Sequence, residues 1–163
     1  MSELPFTKKT LLDAMTAGRR EFDEVLARIA PDQMETPVLH DGWSVKDMLG
    51  HVGYWEAEIV ARFATLRAGG KPEPVTDLDS MNARALDDWR RLSVAETRKR
   101  EREAYDGLLG IARDASTGEL FDPGHFAEAT QNPFALSIAN NTWGHYAEHL
   151  PELTAWLDGG GRA

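Results

Sequence analysis

Apolar residues return every three or four positions through most of this chain, the period of a helix buried along one face. No alternating strand pattern of useful length appears, so the chain must bury helix against helix. The first stripe is Leu12, Met15, Phe22, Leu26 and Ile29, with one gap at Arg19. It predicts a helix from about Thr7 to Ile29, ended by Pro31 and Asp32. The second stripe is Val45, Leu49, Val52, Ile59, Phe63 and Leu66. Ser44 with Asp47 three residues on is a capping-box variant and fixes its start. Gly69-Gly70-Lys71-Pro72 stops it.

A loop over 69–79 and a short helix from about Ser80 to Arg91 come next. Ser93 with Glu96 forms a second capping box and opens a third long helix to about Ala115. Its first half, Thr97 to Glu103, is dense in charge and reads as solvated. Residues 116–132 make the longest connector. Pro133 suits the first turn of a fourth helix running to about Asp158, where Gly159-Gly160-Gly161 ends it. Pro151 lies inside that helix, removes one backbone bond and is expected to bend it just after His149. Helices of 20–25 residues span roughly 30–37 Å, and four of them make a compact all-α bundle.

With 163 residues, 42% of them hydrophobic and 28% charged, the chain suits one soluble domain over 1–163. Lysine and arginine number 18 against 27 acidic residues, a net charge of −9. That balance predicts no nucleic-acid partner and no binding to an anionic membrane surface. Met1 to Lys9 holds no apolar leader-like run, which points to the cytoplasm. The absence of cysteine removes disulfides, thiolate ligands and a cysteine nucleophile together. A metal would have to be held by His, Asp, Glu or water, and a reacting thiol would have to come from outside.

The residues that carry chemistry are histidines. His145 and His149 stand four apart, one turn from each other on one helix face, which is a recurrent half-site for zinc. His51, within two apolar turns of the second helix, is the best third ligand. Three imidazoles leave a divalent ion with open positions, the pattern of catalytic rather than structural sites. Glu58 and Glu148 are the candidate general bases or supporting partners; the plainer reading of each is a solvated helix face. Trp55, Tyr54, Trp143 and Tyr146 flank the candidate ligands and either fill the core or wall a substrate pocket. Asn140 and Asn141 are poor helix formers side by side, expected to cap or to bond across the bundle, with Asn141 a pocket candidate. His125 reads as an exposed loop residue, and His40 sits in a turn with no role. The alternative is a metal-free bundle in which His51 bonds a neighbouring group.

Trp43-Ser44-Val45-Lys46-Asp47-Met48-Leu49-Gly50-His51 resembles the W-S-x-x-[DE]-x-L-x-H opening of the second helix in DinB-like (YfiT-type) four-helix bundles. Asn141 to Leu153 resembles the closing helix of the ClbS/DfsB branch. The resemblance covers nearly the whole chain in helix order and loop lengths. It implies up-down-down-up topology, with the short extra helix before the third long one. It also implies a divalent metal, nickel or zinc, on His51, His145 and His149. Some relatives are transferases or isomerases using mycothiol, bacillithiol or glutathione. ClbS-like members hydrolyse a reactive cyclopropane without needing the triad, and homodimers are frequent. The expectation is a metal-dependent hydrolase or thiol transferase acting on an electrophilic small molecule. A non-catalytic binding or sequestration protein whose pocket holds a small hydrophobic compound is the alternative.

Overall fold

The structure is a computed structural model that describes residues 7–128 and 130–160. The leader reading at residues 1–6 and the stop at Gly161 fall outside them. Among the described residues seven α-helices run in order: α1 Lys8–Leu26, α2 Val45–Arg67, α3 Leu78–Arg90, α4 Val94–Asp114, α5 Thr117–Phe121, α6 Phe134–Asn141 and α7 Trp143–Asp158. Among the described residues there is no β-strand, only an isolated bridge between Pro37 and Ser44. Reciprocal capping boxes start α2 at Ser44 and Asp47 and α4 at Ser93 and Glu96, as the sequence predicts.

Contacts between the long helices set their directions. Lys46, at the start of α2, donates from Nζ to the carbonyls of Arg90 and Leu92, at 2.9 and 2.7 Å, just before α4. Fourteen residues further along α2, Val60 lies over Gly107, so α2 and α4 run parallel. Lys8 Nζ reaches the Arg113 carbonyl at 2.7 Å, and the Tyr105 hydroxyl reaches that of Met15 at 3.3 Å, so α1 opposes α4. Phe22 stacks on Tyr146 at 4.3 Å and Arg28 pairs with Asp158 at 2.6 Å, so α7 runs with α1. The result is the up-down-down-up bundle. Two parallel neighbours need a crossover, and residues 68–93 with α3 supply it.

The long connector contains a helix, α5, opened by a capping box of Ser116 and Glu119. One expectation, the unbroken fourth helix, is corrected. The fourth helix is broken at Thr142 (φ −117°, ψ −108°), while the helix passes through Pro151. Asn141 Nδ2 donates to the Ser137 carbonyl at 2.9 Å and Thr142 Oγ1 to that of Ile138 at 2.8 Å. Side chains that take up carbonyls one turn back loosen the helix at that point. Asn141 therefore bonds within its own helix rather than across the bundle.

Two apolar clusters fill the interior. Met15, Phe63, Leu108, Phe134 and Ile138 belong to one, and Phe22, Met48, Val52, Tyr146 and Leu153 to the other. At the level between them along α1 and α2 lies a buried polar layer. Arg19 meets Glu101 through both guanidinium ends, Nη2 to Oε2 at 3.0 Å and Nη1 to Oε1. Glu56 is fully buried, and its Oε1 accepts from the Tyr146 hydroxyl at 2.5 Å. Burial, with Glu101 nearby, lifts the Glu56 carboxyl well above the usual range, so it is a neutral acid in the fold. Among the described residues, no helix is long and apolar enough to cross a membrane.

Candidate metal centre

The Ser44 cap sets the phase of α2 and so places His51 toward α7. The Thr142 break lets α7 start afresh, and from it His145 and His149 face back. The three rings meet. His145 Nε2 lies 3.0 Å from His51 Nε2 and 3.1 Å from His149 Nε2. Ligand atoms of all three lie within 4.8 Å of one another. Trp43, just before α2, sets its indole edge-on to His51 with centroids 5.2 Å apart. His40, expected to have no role, holds this loop to α7: its Nδ1 and backbone N–H contact Glu152 at 2.6 and 2.5 Å. That contact raises the His40 pKa.

Burial pushes His145 down to about 3 and His51 down to about 4, each further opposed by charge on His149. His149 is lowered too, first by burial. All three rings are therefore neutral at pH 7 and offer lone pairs. An imidazole nitrogen has one in-plane position, holding either a proton or a lone pair. His145 Nε2 can thus satisfy only one of its two short contacts by hydrogen bonding. A cation shared by the three lone pairs satisfies all of them. Three nitrogens at about 2.1 Å from a tetrahedral ion would stand roughly 3.4 Å apart; the two spacings from His145 are a little shorter, and the widest in the set is 4.8 Å. Nδ1 of His51 and of His145 is buried without a hydrogen-bond partner among the described residues. The donor set fits a divalent metal of the zinc or nickel kind.

Beside the rings lies a cavity of about 610 Å³. Trp55 and Ile59 give it an apolar wall, and Asn82, Asn140, Asn141 and Glu148 give it polar ones. The Trp55 indole N–H donates to Asn82 Oδ1 at 2.8 Å, which fixes the ring. Of the predicted site residues, His51, His145, Trp55, Asn141 and Glu148 line this space. Glu58 points to Arg62 instead, 3.5 Å away. Tyr54 packs edge-on against Trp55 and is not part of the wall. Trp143 lies over Gly18 of α1, in a groove between α1 and α7. His125 is exposed in its loop. Val75 comes from the crossover loop and Leu78 and Asn82 from the first turns of α3, none of which the sequence reading tied to the site.

No curated protein matches this chain. Several solved structures share its fold. An uncharacterised protein of Escherichia coli UTI89 superposes with a TM-score of 0.84 at 19% identity, covering 98% of each chain. The protein described as Sibling Lethal Factor Precursor, DfsB, gives 0.80 at 16%, covering 98% of this chain and 99% of that one. The colibactin self-resistance protein ClbS, solved in complex with double-stranded DNA, gives 0.78 at 17%, covering 94% and 96%. The DinB-like fold with ClbS and DfsB as neighbours is as the sequence implied.

The ClbS complex overturns the expectation of no nucleic-acid partner, since a protein of this fold is there bound to DNA. Net charge is a sum over the chain, whereas phosphates meet a local surface. Residues 90–102 carry six Lys and Arg against two Glu. One of those two, Glu101, is buried on Arg19. Residues 15–148 match the mycothiol maleylpyruvate isomerase N-terminal domain family, and the chain belongs to that family.

Proposed function

We propose that His51, His145 and His149 hold a divalent metal, zinc or nickel, and that the adjoining cavity binds an electrophilic small molecule for attack by water or a low-molecular-weight thiol. When bound, the ion supplies Lewis acidity that makes water or a thiol a better nucleophile near neutral pH. The chain does the rest. Trp55 and Ile59 exclude water from one side of the reacting molecule, Asn140 and Asn141 orient it by hydrogen bonds, and Glu148 is the carboxylate placed to accept a proton. Mycothiol, bacillithiol and glutathione are the thiols to test, and the family supports the first. Such thiols are kept reduced in the cytoplasm, where this reading puts the protein.

The observation that carries the reading is the double short contact of His145 Nε2, which hydrogen bonding alone does not satisfy. Protein purified without a histidine tag is expected to hold about one equivalent of zinc or nickel, and His145→Ala to lose it. A variant that keeps its metal contradicts the assignment. An electrophile consumed only when thiol is added marks a transferase; consumption without thiol marks a hydrolase; binding without consumption marks a sequestering protein.

A second reading is contact with nucleic acid, favoured by the DNA complex of ClbS and by the cations of residues 90–102. It predicts duplex binding that weakens steeply between 50 and 200 mM salt. Neutralising Arg98, Lys99 and Arg100 together should remove it without changing metal content.

A further inference from the structure

The histidine cavity does not stand alone. A second cavity, of about 710 Å³, shares three of its residues: Arg62, Val75 and Ser137. The inner space is the one that holds His51 and His145. The outer one has an apolar floor of Leu66 and Phe134 and polar sides that include Lys71, Gln131 and Asn132. Each alone is of the size that takes a small ligand. Arg62 stands at the junction with its side chain 24% exposed.

The Arg62 guanidinium is held but not used up. Nη1 donates to the Glu73 carbonyl at 2.6 Å and lies 3.5 Å from Glu58 Oε1. The first bond fixes the plane of the group; the second is at the limit of a hydrogen bond. Nε and Nη2 have no partner among the described residues, and this pair of donors matches a carboxylate in a fork. Among the described residues the exposed large hydrophobic side chains are Val75 and Leu78, and both border the inner cavity at this junction, so an apolar stretch of ligand next to the anion finds cover. Glu58 beside Arg62, Glu128 3.9 Å from Lys71, and Glu148 at the inner end repel a polyanion. A single carboxylate suits the one free guanidinium edge.

We propose that the two cavities form one cleft for an elongated small molecule carrying a carboxylate, with its anion on Arg62, one end beside the histidines and a polar end near Lys71 and Asn132. What happens at the inner end rests on the function proposed above; the anion site does not. The carboxylate belongs either to a thiol co-substrate or to a thiol-free substrate, and the same fork would hold it.

The test is a titration of the full chain followed by the indole N–H resonance of Trp55, assigned with Trp55→Phe. The thiol arm uses glutathione against its diethyl ester, and the thiol-free arm uses hexanoate against hexanamide. In at least one arm the acid is expected to bind about tenfold or more tightly than its neutral counterpart, and that arm identifies the source. Arg62→Gln should remove the preference, with Arg62→Lys in between because it keeps the charge and loses the fork. Arg62→Lys also serves if the glutamine variant fails to fold. Equal binding of acid and neutral form in both arms, or an unchanged preference in the Arg62 variants, overturns the proposal. Repeating the titration after chelation separates the two readings. An acid preference in protein that never holds metal leaves the cleft standing without its metal centre. One equivalent of metal without an acid preference does the reverse.

Discussion

Glu56 is a neutral acid inside a bundle, and this has a consequence for stability. Its carboxyl is raised in the fold, first by burial and then by Glu101. A raised pKa means that the folded state binds the proton more tightly than the unfolded chain. The contribution is complete below the unfolded value near 4.5 and is lost as pH rises through the folded value. Glu56→Gln keeps the shape and removes the titration, so its melting temperature relative to wild type should rise as pH goes from 5 to 9. A gap that narrows with pH contradicts the neutral-acid assignment. The partner pair behaves differently. Arg19→Met strands Glu101, and urea unfolding should register a loss of about 3–5 kcal/mol, much of it recovered by also changing Glu101→Met. The histidines were legible in the sequence because a four-residue spacing places two rings on one face whatever the tertiary packing. Glu56 and the Arg19–Glu101 pair were not, because whether a charged residue in an apolar stripe is buried depends on what three other helices bring to it.

Between elements, the spacing of α1 and α7 depends on Gly18, where a Cβ would fall 2.4 Å from that of Trp143. Gly→Ala inside a helix ordinarily gains up to about 1 kcal/mol. Here overpacking should reverse the sign, and chemical denaturation should show Gly18→Ala about 1–2 kcal/mol less stable. The break at Thr142 sets where His145 points. Replacing Asn141 and Thr142 with alanine removes both carbonyl-seeking side chains, so circular dichroism should report more helix and zinc retention should fall at least tenfold. Helix starts were legible at Ser44 and Ser93 because a capping box is a local device. The break was not, because it depends on Asn141 and Thr142 turning their side chains to carbonyls one turn back, where the sequence shows only weak helix formers.

Across the whole molecule, two apolar stripes with the capping boxes and the Pro and Gly stops were enough to specify an all-α bundle, and the directions of its helices follow from contacts such as Lys46 with Leu92 and Phe22 with Tyr146. Net charge was a poorer guide, because summing over the chain hides the cation-rich stretch at 90–102. The cleft was also illegible, being assembled from α2, the crossover, the loop before α6, α6 and α7, segments distant in sequence. The most direct measurement is anomalous diffraction at the zinc and nickel edges from crystals of the untagged protein. One peak is expected about 2.0–2.1 Å from Nε2 of His51, His145 and His149 alike. A clean map with no peak between those rings, or a peak held by other side chains, contradicts the account.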